Sequence, residues 1–350
     1  MSMLLIGHVV FWLVYAAILF VWRKQRIFWP LLALALLLLF NQIFTPGFFD
    51  LEIRDGRLFG SRIDILQQST KVMLLALGMA LVIGTGGVDL SVGAIMAVAG
   101  AVMAQLVVMH QCSPTVAILA ALGVALAAGA LNGLLVASFG IQPIVATLIL
   151  MVAGRGIAQL ISDGQAIPFS NETLSFIGSG YFLGLPFALT IVLIMLGITC
   201  LFTRKTALGL FIESVGDNDT ASRFSGINAR LVKFCVYIFC GLCAGIAGIV
   251  STSNISRADA NYTGLYLELD AILAVVIGGT ALTGGRFYLV GSLVGALLIQ
   301  TLTTTMYARN VSADIAPVPK ALVIIAVCLL QSEKVRRFFA RLLPAKKQTG

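Results

Sequence analysis

Apolar residues run along this chain in long blocks, and charged residues gather in short clusters between them. A helix needs about 20 consecutive apolar residues to cross a bilayer, and fewer where it is buried in a bundle. The pattern predicts eleven such spans: 3–22, 28–49, 71–86, 91–109, 115–138, 143–161, 182–202, 234–252, 269–283, 287–307 and 319–331. The last is short and admits an earlier start.

Lys and Arg mark the cytoplasmic side of a membrane protein. Arg23, Lys24 and Arg26 form one basic cluster. Arg204, Lys205, Arg223, Arg230 and Lys233 form a second. Lys334, Arg336, Arg337, Arg341, Lys346 and Lys347 form a third, in the C-terminal tail. Six spans separate the first cluster from the second and four separate the second from the third, so all three fit on the cytoplasmic side. The outer segments are then 110–114, 162–181, 253–268 and 308–318. Segment 162–181 holds Asp163 and Glu172 but no Lys or Arg. Segment 50–70, also outer, is mixed in charge and opposes the rule only weakly. The expected fold is an all-α polytopic membrane protein with a ten-helix core, residues 28–332. Residues 1–27 add an N-terminal apolar helix and basic linker, and 333–350 form a basic cytoplasmic tail. Segment 3–22 lacks the basic start and small-residue cleavage site of a signal peptide. It is either a true eleventh helix or the result of a start assigned too early.

Composition narrows the function. Hydrophobic residues make up 59% of the chain and charged residues 11%, against about 25% charged in soluble domains; a water-soluble fold is excluded. The net charge of +8 does not indicate nucleic acid, because the basic residues flank apolar spans, where they fix orientation and meet anionic lipid. Cys240 and Cys243 form a C-x-x-C inside an apolar run, with no second pair or histidine to complete a metal site. His8 and His110 are the only histidines. Catalytic zinc, serine-hydrolase and nucleotide-binding motifs are missing, so the chain is read as non-catalytic and without a cofactor or metal of its own. The pairs Gly129 and Gly133, Gly241 and Gly245, and Gly291 and Gly295 are spaced for close helix packing.

Four constellations carry candidate chemistry. The run GTGGVDLSVG, residues 84–93, breaks the apolar pattern. Either the break lies within the membrane and puts Asp89 on a transport path or gate, or Asp89 and Ser91 cap the next helix at the interface. Arg155 and Gln159 share one helix face. The arginine is expected to face the bundle interior, bonded to backbone carbonyls or lining a path. Asn132 and Gln142 are weaker polar candidates of the same kind. Glu268 and Asp270 stand at a helix start, where the dipole favours carboxylates. The loop 203–233 reads as two short helices, Ala207–Val215 and a second ending at Gly226, separated by the turn Gly216, Asp217, Asn218. A structureless loop of that length is uncommon; it is either a docking element for a partner or a solvated connector.

GGVDLSVGAIMAVAGA, LNGLLVASFGIQPIVATLILMVAGRGIAQLI, ESVGDNDTASRFSGINARLVKFCVYIFCGLCAGIAGI and ELDAILAVVIGGTALTGGRF resemble, in order, the permease subunits of ribose-type bacterial ABC sugar importers. RDGRLFGSRIDIL, VATLILMVAGRG and ADANYTGLYLELDAILAVVIGG look most like the galactofuranose branch of that family. The resemblance implies a multi-pass inner-membrane subunit with its C-terminus in the cytoplasm. It also implies a second permease subunit, a periplasmic sugar-binding protein, and a separate ATPase subunit that binds the ATP. In the coupling region Glu213, Gly216, Asn218, Arg223 and Gly226 stand at the family's positions, and Asp217 with Asp219 makes the loop more acidic than the family pattern. Asp89, Asn132, Gln142, Arg155, Gln159, Glu268 and Asp270 are the polar residues expected along the sugar path. The competing expectation is a proton-coupled secondary transporter titrating at Asp89, Glu268 or Asp270. Segment 3–22 departs from the family pattern of a polar start.

Overall fold

The computed structural model describes residues 27–312 except 51, 55 and 56, and isolated positions among 15–21 and 315–329. The basic residues 23–26, the tail 333–350 and most of the predicted spans 3–22 and 319–331 lie outside the described residues. The described helices are α1 (Phe28–Phe44), α2 (Ser61–Gly84), α3 (Val92–Val108), α4 (Pro114–Ala137), α5 (Pro143–Ile161), α6 (Glu172–Ser179), α7 (Phe187–Lys205), α8 (Leu208–Asp217), α9 (Asp219–Phe224), α10 (Ala229–Asn254), α11 (Leu267–Ile277) and α12 (Leu289–Ala308). Six of them, α2, α4, α5, α7, α10 and α12, are long and apolar enough to cross a membrane; α1 and α3 are apolar but shorter. The helices α2, α12 and α10 have 78%, 67% and 61% of their apolar windows buried, against 22–28% for α4, α5 and α7. The first three therefore form the centre and the others the rim.

Local chemistry explains many of the boundaries. Pro114 and Pro143 open α4 and α5, where a missing N–H costs nothing. Asn171, Asn218 and Asn228 cap α6, α9 and α10 through their side-chain oxygens. Inside α7 and α12 the hydroxyls of Thr199, Thr203, Thr301, Thr303 and Thr305 donate to carbonyls four residues back, so no hydroxyl is left facing lipid without a partner at these positions. Helices α4 and α10 run antiparallel, with Gly129 against Gly241; the predicted small-residue spacing serves this contact.

Several predicted boundaries change. Helix α2 begins at Ser61, ten residues before the predicted start, so part of segment 50–70 is helix rather than outer loop. Its polar first half is accommodated inside the protein: Gln67 donates to Gly178 O at 2.9 Å and Gln68 to Asn254 Oδ1 at 3.5 Å. Helix α10 begins at Ala229 behind its Asn228 cap, so the predicted loop 203–233 already contains its first turn. Helix α11 ends at Ile277, because Gly279 takes a left-handed conformation (φ 98°) and closes the turn. The predicted outer segments also carry short antiparallel pairs, β1 (Glu52–Arg54) with β2 (Arg57–Phe59) and β3 (Ile167–Pro168) with β6 (Arg257–Ala258), whereas β4 (Tyr181–Phe182) and β5 (Leu185–Pro186) form a hairpin at the start of the predicted span 182–202, so that α7 begins only at Phe187.

Two helices do not start where a full crossing would. Helix α2 runs to Gly84, next to Ile212 of α8. The chain then turns back through 85–91, so that Val88 O receives the Tyr237 hydroxyl from within α10. Helix α3 starts there and runs parallel to the second half of α10, with Met96 against Gly248 and Gly100 against Thr252. Helix α11 starts beside it and runs the opposite way, antiparallel to α12, with Ala274 against Gly295 and Gly278 against Gly291.

Candidate functional site

The first turns of α3 and α11 meet inside the bundle. A methyl group on Gly93 would lie 2.3 Å from Gly264 O and 2.4 Å from Glu268 Oε2, so only glycine permits this approach. Each helix start has its own carboxylate. Asp89 Oδ1 accepts from Ser91 N at 2.9 Å and from Ser91 Oγ at 2.7 Å, and Glu268 lies in the first turn of α11. The positive end of a helix compensates a carboxylate placed there, which explains how Asp89 is tolerated while fully buried. Asp89 Oδ1 thus holds Ser91, the residue that precedes α3, and neither side chain bonds a first-turn N–H of that helix.

Asn132, also fully buried, joins Asp89 from α4. Its Nδ2 donates to Ser91 Oγ at 2.7 Å and to Asp89 Oδ1 at 3.4 Å. Three acceptors around the two helix starts, Asp89 Oδ2, Asn132 Oδ1 and Glu268 Oε2, have no hydrogen-bond partner among the described residues. Buried acceptors are costly without donors.

Arg155 and Gln159 do share one face of α5, and it meets the segment that leads into α11. Arg155 Nη1 donates to Ala260 O at 2.9 Å and Thr263 O at 2.6 Å. Gln159 Nε2 donates to Asn261 Oδ1 at 2.8 Å. Arg155 is thus a clamp on backbone carbonyls, one of the two roles expected for it. Gln142 stands apart, exposed at the start of α5. Asp270 faces away from the Asp89 group and pairs with Lys320 at 3.0 Å. Lys71 on α2, within electrostatic reach of Asp270, donates to Gln68 Oε1 at 3.0 Å.

Sequence reading missed the lysines. Each is a lone cation in an apolar run, KVMLLALG and KALVIIAV, and an intramembrane cation is a functional signal that should have been taken up. Among the described residues no group of three His, Cys, Asp or Glu side chains is placed to hold a metal.

At the other end of α2 lies the second candidate region. The predicted two-helix loop is present as α8 and α9, with Asn218 between them accepting from Ala221 N at 2.9 Å and Gly226 in a left-handed turn (φ 84°). Arg223 and Lys233 both pair with Asp219, at 2.8 and 3.3 Å. Gly216 packs against Gly84, and Gly285 N donates to Gly84 O at 3.1 Å. Beside this junction a cavity of about 510 Å³ is lined by Glu213, Ser214, Asp217, Ala281, Gly284, Gly285 and Arg286.

Comparison with known proteins gives this geometry a family. The chain is 51% identical to the galactofuranose transporter permease protein of Escherichia coli strain K12, over 89% of this chain and 92% of the relative. It is 42% identical to the fructose import permease protein of Bifidobacterium longum, over 91% of each. It is 36% identical to the ribose import permease protein of Escherichia coli strain K12, over 87% of this chain and 93% of the relative. No solved structure gives a significant match. Residues 61–330, which hold both the two helix starts and the α8–α9 loop, match the family model described as the permease component of branched-chain amino acid transport systems. The chain is a polytopic membrane permease of that family.

Proposed function

We propose that this chain is the translocation subunit of an ATP-driven importer that moves a monosaccharide, galactofuranose or a related pentose or hexose, into the cytoplasm. The observation that carries this is the likeness to three sugar permeases along nearly the whole length of each. Family membership favours it over the proton-coupled alternative. In this reading the chain sits in the bacterial inner membrane with its C-terminus cytoplasmic. It pairs with a second permease subunit, receives sugar from a periplasmic binding protein, and takes its energy from a separate ATPase subunit. Residues 28–332 act as the permease domain.

The site residues divide into two groups under this proposal. Asp89, Asn132 and Glu268 present acceptors around the paired helix starts, suited to the hydroxyl donors of an uncharged sugar. They are buried, so they would meet sugar only when the bundle shifts during alternating access. Arg155 and Gln159 hold the segment entering α11. Gln142 and Asp270 are peripheral to this group. On the cytoplasmic side Glu213, Gly216, Asp217, Asn218, Arg223 and Gly226 would couple to the ATPase.

Proteoliposomes containing the permease, its co-encoded ATPase and its binding protein test the proposal. Uptake of labelled galactofuranose, fructose or ribose that requires internal ATP and the binding protein, and falls in Glu213→Ala, is the expected result. Uptake by the permease alone, without ATP, would overturn it.

A further inference from the structure

We propose that the ATPase-receiving surface has two walls, α8 and the turn 281–286, and that a segment of the ATPase seats in the cavity between them. The inference rests on the importer function proposed above and extends the docking surface beyond the 203–233 loop. The cavity places Glu213 and Asp217 on one wall and Ala281 and Arg286 on the other. No ion pair among the described residues engages Glu213, Asp217 or Arg286. Ala281, Leu282, Thr283 and Arg286 are exposed, as are Leu210 and Phe224 of the neighbouring loop. The two free carboxylates call for an ATPase segment that presents a basic side chain to α8, with Arg286 taking an acceptor on the opposite side.

The cavity floor gives this position its consequence. A methyl on Gly216 would lie 1.9 Å from Gly84 O and 2.6 Å from Gly285 N. Three segments thus touch through bare backbone: the end of α8, the turn after α11, and the end of α2. The last leads through 85–91 to Asp89 and α3, and the turn leads back through α11 to Glu268. Backbone cannot yield as a flexible side chain does. A displacement of either wall is therefore delivered to both helices, α3 and α11, whose starts meet at Gly93 and Gly264.

The test is ATPase affinity for the permease in nanodiscs. Ala281→Trp and Arg286→Glu alter exposed positions outside the predicted loop. Each is expected to weaken ATPase binding by about tenfold or more, and wild-type binding should weaken with added salt. In a separate variant, Ala281→Cys, maleimide labelling at that position, read by peptide mass spectrometry, should be protected when the ATPase is bound. If Glu213→Ala weakens binding while Ala281→Trp and Arg286→Glu do not, and Ala281→Cys stays open to label, then α8 docks alone. That result overturns the two-wall surface and leaves the importer reading standing. An ATPase that does not bind the wild-type permease overturns both.

Discussion

Arg155→Met separates the clamp from the path. Arg155 makes two charge-assisted hydrogen bonds, to Ala260 O and Thr263 O. Bonds to a charged group contribute about 1.5–3 kcal/mol each. Arg155 is only half-buried, so water replaces part of what the methionine removes. The expected loss is then about 2–3 kcal/mol, localised to the segment that leads into α11. At about 1.4 kcal/mol per factor of ten, this speeds local opening by roughly 30- to 150-fold. Hydrogen exchange of the peptide 259–266 in nanodiscs reads that change directly. Arg155→Lys keeps a charge and N–H donors, but on a shorter stem without the planar guanidinium that aims Nη1 at both carbonyls, and should give a change of about tenfold. Unchanged exchange in Arg155→Met would refute the clamp. If uptake then collapsed all the same, Arg155 would act on the sugar rather than on the backbone.

Three further outcomes are expected. Asp270→Asn leaves Lys320 without its 3.0 Å partner and should lower stability by about 3–5 kcal/mol; adding Lys320→Met should restore much of the loss in thermal unfolding, and no rescue would mean that the pair is incidental. Asn132→Leu removes the donor to Ser91 Oγ and Asp89 Oδ1 and should cost about 1–3 kcal/mol, read as a lower unfolding temperature in detergent. Gly216→Ala forces a methyl against Gly84 O, an overpacking of about 1–3 kcal/mol; sugar moved per ATP hydrolysed should fall, and an unchanged ratio would show that the junction gives way without consequence.

The membrane class and the helix spans from 91 to 202 were legible because apolar blocks of bilayer length have few other uses. The early start of α2 was not. Ser61–Thr70 reads as a polar outer segment, and only tertiary partners, Gly178 O and Asn254 Oδ1, make its glutamines compatible with a helix. Helix α2 is 24 residues long, about 36 Å, enough to cross a bilayer. The break is nonetheless interior, because the chain after Gly84 turns back to Tyr237.

Depth was the missing quantity. GGVDLSVG and LYLELDAIL each announce a helix start with a carboxylate, and a helix start wants one whether it lies at the surface or in the core. Hydropathy along one strand of sequence cannot tell these two cases apart. What distinguishes them is a pairing, since a helix that starts inside the bundle leaves its first-turn N–H groups where no bulk water satisfies them. Two such starts placed side by side, each carrying its own carboxylate and separated only by Gly93 and Gly264, form a polar centre within an apolar bundle. Gly93 and Gly264 are what let that centre form, and Gly84, Gly216 and Gly285 tie it through bare backbone to α8 and the turn 281–286.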